Sequence, residues 1–110
     1  MITIVLLFAV AALFGLTILI PLLQGKTASR AFVFIHGGIA ATALVMLLWQ
    51  FFKEGTAVPQ LSVILFVVAA LGGLVLFVMD LQKKPLPKSL ALIHAGAAVV
   101  AFLILLFSVI

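Results

Sequence analysis

Residues 31–52, AFVFIHGGIAATALVMLLWQFF, form an unbroken apolar run holding one ionisable side chain, His36. At 1.5 Å per residue, such a run spans about 33 Å as a helix, enough for the roughly 30 Å hydrocarbon layer of a bilayer. A histidine inside that layer is costly and marks a candidate functional position. The chain contains the arrangement twice: Ile35-His36-Gly37-Gly38 is matched further along by Ile93-His94-Ala95-Gly96.

Working outward, three further segments have the length and apolarity of spans: Ile2–Leu23, Leu61–Leu81 and Leu90–Ile110, alongside Ala31–Phe52. The 110 residues are 68% hydrophobic and only 7% charged, against about half apolar in soluble domains. A chain of this size has no core large enough to hide that surface, so lipid is the expected solvent. The first span lacks a basic leading region and exceeds the usual apolar stretch of a signal peptide, so it is retained as structure. With no cysteine, disulfides, thiolate metal sites and thiol chemistry are excluded.

The connectors, residues 24–30, 53–60 and 82–89, carry nearly all the charge. Lys26, Arg30, Lys83, Lys84 and Lys88 fall in the first and third, and only Lys53, beside Glu54, in the second. The excess of basic residues places the first and third connectors in the cytoplasm and both termini outside. The expected location is the cell (cytoplasmic) membrane, with Trp49, Phe51 and Phe52 as an aromatic anchor at the outer interface. Short connectors make successive helices antiparallel neighbours. The expected fold is therefore an all-α, up-down-up-down transmembrane four-helix bundle. The net charge of +4 resides in short connectors without aromatic interleaving, which argues against nucleic acid as a partner.

Setting His36 against His94 aligns 5–48 with 63–106 without a gap, and 19 of the 44 pairs are identical. Chance in so biased a composition gives roughly a tenth, so the chain reads as two tandem helical hairpins within a single domain. Two spans per unit give both copies the same orientation, related by a pseudo-two-fold axis along the membrane normal. His36 and His94 are then at one depth, on diagonal helices facing each other. His36, Ala40, Ala43 and Leu47 are matched by His94, Ala98, Ala101 and Leu105, offsets that trace one helical face. Each histidine thus has alanines above it, leaving space beside the ring. Gly38 and Gly96 point elsewhere and are expected to permit close approach of a neighbouring helix. Gly15 and Gly73, near the histidine level on the first helices of the hairpins, either widen the interior or tighten helix packing.

Two facing imidazoles restrict the ligand. Zinc seeks about four protein ligands, and no further His, Cys or acid lies at that depth. Asp80, three and four residues before Lys83 and Lys84, reads as part of a helix-end ion pair. A porphyrin supplies four equatorial nitrogens, so a haem needs only two axial imidazoles, and its apolar ring suits a bundle interior. Each histidine lies five or six residues into its span, about 9 Å or less from the cytoplasmic boundary at the helix rise of about 1.5 Å per residue. Propionates directed there reach helix N-termini and the basic pair Arg30 and Lys88. The candidate site is thus His36 and His94 as metal ligands, with Gly37, Gly38, Ala40, Ala95, Gly96, Ala98, Arg30 and Lys88 around the cofactor.

Paired histidines on the second and fourth helices of a membrane four-helix bundle, with small residues nearby, resemble the haem-holding core of membrane cytochromes b. The resemblance implies one-electron transfer through bis-histidine haem b. The respiratory members carry two histidines per ligand helix and stack two haems; this chain has one per helix, which implies one haem per monomer. A haem at this depth lies about 20 Å from the opposite boundary. Transmembrane transfer would therefore need a quinone, a redox protein or a second haem in a homo-oligomer.

Other classes compete with this reading, and a histidine in a membrane helix also commonly serves as an interhelical hydrogen-bonding residue with no ligand. A non-haem assembly protein, its small-residue faces building an oligomer, is the main alternative. Small multidrug-resistance transporters share the length and helix number, but depend on a glutamate in the first helix that is missing here. No nucleophile–base constellation supports a hydrolase or transferase.

Overall fold

A computed structural model describes all 110 residues. It is wholly helical: α1 (Ile2–Leu23), α2 (Arg30–Glu54), α3 (Gln60–Leu81) and α4 (Lys88–Val109), with one 3₁₀ turn at Gly55–Ala57. Uninterrupted apolar sequence favours this outcome, because a helix satisfies its backbone hydrogen bonds internally where water cannot.

The helix ends follow local chemistry. α1 stops in a left-handed turn at Gly25 (φ 75°), with Lys26 N–H donating to Pro21 O and Gly25 N–H to Leu22 O. α3 stops in the same way at Lys83 (φ 57°), with Lys84 N–H donating to Met79 O and Lys83 N–H to Asp80 O. Both are Schellman closures, although at Lys83 a lysine occupies the position that favours glycine. α2 ends at Gly55, whose φ of 59° and ψ of −117° suit a residue without Cβ. Pro59 and Pro87 precede the first residues of α3 and α4.

Helix boundaries differ slightly from expectation. α2 begins at Arg30 and continues through Lys53 to Glu54, and α4 begins at Lys88. Arg30 and Lys88 are therefore first-turn helical residues, and the connectors shrink to 24–29, 55–59 and 82–87. Polar residues continue a helix for a turn as readily as apolar ones, so hydropathy marks the apolar run and not the helix end.

Each helix packs on two neighbours, in the ring α1–α2–α3–α4–α1, which leaves α1/α3 and α2/α4 as diagonals. The bundle measures 41 × 19 × 19 Å. Its densest core lies in the half where α1 and α3 begin, around Phe8, Ala43, Leu47, Phe66, Ala101 and Leu105. There Phe8 and Phe66 stack across the axis with ring centroids 3.9 Å apart, and Ser62 donates from α3 to Ala101 O on α4 at 2.8 Å. Only 14 of 110 residues are buried, while Leu6, Leu13, Val45, Trp49, Leu71, Ile93 and Phe107 are among many large apolar side chains that are exposed. Each of the four helices is long and apolar enough to cross a membrane.

Candidate functional site

His36 lies in the second turn of α2, and its Nδ1 is 2.7 Å from the carbonyl oxygen of Ala11 on α1. His94, in the second turn of α4, repeats the contact with Ala69 O on α3 at 2.6 Å. A carbonyl only accepts, so Nδ1 of each ring carries the proton and donates it. In a neutral imidazole that leaves Nε2 with a free lone pair, and neither Nε2 takes part in a hydrogen bond. Histidines that bind metals are oriented in this manner, one ring nitrogen held by an oxygen while the other is presented outward.

A glycine makes each contact possible. Gly15 follows Ala11 by four residues and Gly73 follows Ala69 by four, so each glycine sits one turn beyond the accepting carbonyl. A Cβ at Gly15 would lie 3.1 Å from Cε1 of His36, and one at Gly73 would lie 2.8 Å from Cε1 of His94. The missing side chains therefore seat the rings against the neighbouring helix. Of the two roles open to these glycines, close packing is the one observed, and the group packed is the imidazole. Gly72 adds to the second seat, since its Cβ would stand 3.6 Å from Cβ of His94.

The two rings meet across the α2/α4 diagonal, with centroids 6.3 Å apart and planes at 90°. Ala40, Ala95 and Ala98 are half-buried near them. Gly37, Gly38 and Gly96 are exposed, and a Cβ at any of them would meet nothing within 4 Å. Within one chain, then, no helix makes the close approach expected at Gly38 and Gly96. Arg30 and Lys88 both occupy the histidine end of the bundle and are exposed. Asp80 does not pair with Lys83 or Lys84: its carboxylate lies 3.6 Å from the Arg30 guanidinium, which also reaches Asp80 O at 3.4 Å. The left-handed closure at Lys83 turns the chain away just after Asp80, while the first turn of α2 lies alongside.

No three His, Asp, Glu or Cys side chains converge anywhere in the chain. Two surface depressions are shallow and open. One is bounded by Trp49, Phe52 and Lys53 and the other by Ile4, Val45, Met46, Trp49 and Gln50, all at the end opposite the histidines. Sequence reasoning missed the carbonyls of Ala11 and Ala69. The signal was present, since both pairs are separated by 25 residues, but nothing in an alanine side chain advertises its backbone oxygen.

The fold and site define a class: an all-helical chain with four helices capable of crossing a membrane and two half-buried histidines whose rings stand perpendicular to each other across the bundle. No known protein family, curated protein or solved structure matches it.

Proposed function

We propose that the protein is an integral membrane carrier of one haem b per monomer, ligated by Nε2 of His36 and Nε2 of His94. The observation that carries this reading is the spacing of the rings. Two imidazoles holding one metal between them, at about 2.0 Å per metal–nitrogen bond, would have centres roughly 6.4 Å apart, and the observed 6.3 Å between perpendicular rings is compatible with that. The Nδ1–carbonyl contacts support it as well, because they leave both Nε2 atoms free and restrict ring rotation. Porphyrin iron completes its coordination with two such ligands, so the lack of a third protein ligand is compatible with haem and not with a structural zinc site.

When bound, the haem would supply one-electron chemistry at low dielectric. The chain's own residues bind and orient. Ala11 O and Ala69 O fix the tautomer of each ligand, and Gly15 and Gly73 let the rings reach those oxygens. Ala40 and Ala98, one turn above the histidines, keep bulky side chains away from the ring faces. Lys88 and Arg30 bring positive charge to the boundary about 9 Å below, where propionates favour cationic partners; Arg30 shares its charge with Asp80. The exposed apolar belt suits lipid. The basic residues at the histidine end favour a cytoplasmic position for that end, with both termini outside.

The experiment is a spectrum. Protein purified from cells supplied with haem should show a six-coordinate, low-spin absorption, with resolved α and β bands on reduction. Colourless protein that also fails to bind added haemin would overturn the reading. The assembly alternative draws support from Gly37, Gly38 and Gly96, which open outward and are free to meet another copy. Transport finds less support, because both acids, Glu54 and Asp80, sit at helix ends.

A further inference from the structure

The four seams of the bundle are not closed alike. At the histidine end, α1 and α2 are joined by residues 24–29 and by the His36–Ala11 hydrogen bond. α3 and α4 are joined by residues 82–87 and by the His94–Ala69 bond. The α2/α3 seam has its connector at the far end, yet two contacts close it near the histidines. One is the Arg30–Asp80 ion pair; the other is an edge-to-face pair, Phe34 on Phe77, with centroids 5.7 Å apart and planes at 75°. The α1/α4 seam has neither connector nor hydrogen bond nor ion pair along its length.

The correspondence between the two hairpins identifies what that seam lacks. The counterparts of Phe34 and Phe77 are Leu92 and Leu19, and those of Arg30 and Asp80 are Lys88 and Leu22. Both closing pairs of one seam are thus replaced by aliphatic or unmatched residues in the other. The dense core does not compensate, because it lies in the opposite half of the bundle. Non-directional apolar contact is the only force holding α1 to α4 beside the histidines, and lipid chains supply the same contact to a separated pair of helices.

We propose that the histidine end of the α1/α4 seam is a lateral gate through which the apolar, carboxylate-bearing ligand reaches the His36–His94 pair from the cytoplasmic leaflet. The ligand's identity as haem rests on the function proposed above; the mobility of the seam does not. Opening swings the end of α1 away from the start of α4, while the α2/α3 seam remains latched and acts as the hinge side. Lys88, unpaired at the mouth of the gate, meets the carboxylates as they arrive.

The test uses two label pairs at exposed, equivalent positions in a chain that has no cysteine of its own. Leu23→Cys with Ser89→Cys spans the α1/α4 seam, and Ala31→Cys with Leu81→Cys spans α2/α3. Spin-label distances in haem-free protein should be broad across the first pair and narrow across the second. Transplanting the closure, as Leu19→Phe, Leu22→Asp and Leu92→Phe together, should narrow the first distribution. It should also slow haemin uptake about tenfold, the factor an aromatic pair and an exposed ion pair supply together. Phe77→Leu with Asp80→Leu should broaden the second distribution. Equal widths in the two seams, or uptake unchanged by the transplant, would overturn the gate. Distances that behave as stated in a protein that binds no haemin would uphold the mobile seam and remove haem as its ligand.

Discussion

Gly15 and His36 form a fitted pair: a methyl group on Gly15 would stand 3.1 Å from Cε1 of a ring already tied to Ala11 O. To make room, the ring has to shift by a few tenths of an ångström against its 2.7 Å hydrogen bond. Gly15→Ala should therefore destabilise the fold by about 1–3 kcal/mol, an overpacking cost, and alter the haem spectrum in the same step. Gly73→Ala should cost more, since its added methyl would lie 2.8 Å from Cε1 of His94. Gly37→Ala and Gly96→Ala, whose methyls meet nothing, should be neutral or stabilise by up to about 1 kcal/mol through helix propensity. Thermal unfolding in detergent with parallel absorption spectra measures all four.

His36→Ala and His94→Ala should each leave a five-coordinate, weakly held haem or apoprotein, and the double variant should bind none. Ala40→Leu and Ala98→Leu should lower occupancy without removing a ligand, by filling the space above the rings. If one histidine proves dispensable, a haem shared between two chains, or ligated from one side, replaces the intramolecular pair.

Ser62 is fully buried and donates to Ala101 O, while its counterpart in the first hairpin is Ile4. Ser62→Ala removes the donor and leaves an acceptor that still belongs to a helix. The expected loss is about 0.6–1 kcal/mol, the range for such bonds in membranes and in water. An unfolding titration reads it, and the haem spectrum should stay unchanged because the contact lies in the other half of the bundle.

A reporter active only in the cytoplasm, fused after Ile110, should be silent, because the basic residues cluster at the end where α1 and α3 stop. A strong signal would invert the bundle and put the histidines in the outer leaflet.

Much of this architecture is legible in the sequence because the segments are long and uniformly apolar: in hydrocarbon a helix is the one local solution open to them. Hydropathy gives the extent of α1 to the residue, whereas it leaves α2 short at both ends, where Arg30, Lys53 and Glu54 are helical without being apolar. The histidine pairing follows from the equal lengths of the two hairpins. The partner of Asp80 does not. Lys83 and Lys84 are near in sequence, but Arg30, on another helix, is near in space, because the chain turns left-handed at Lys83.

Alone, the order of residues determined four apolar helices, two histidines at matched positions and the charge difference between the two ends, since each depends on composition and period. Only tertiary structure decided what the histidines touch. An imidazole on α2 finds the carbonyl of Ala11 because α1 lies against it and carries no side chain at Gly15. That coincidence of a backbone oxygen, an absent methyl and a ring exists when two helices are packed, and in neither helix by itself.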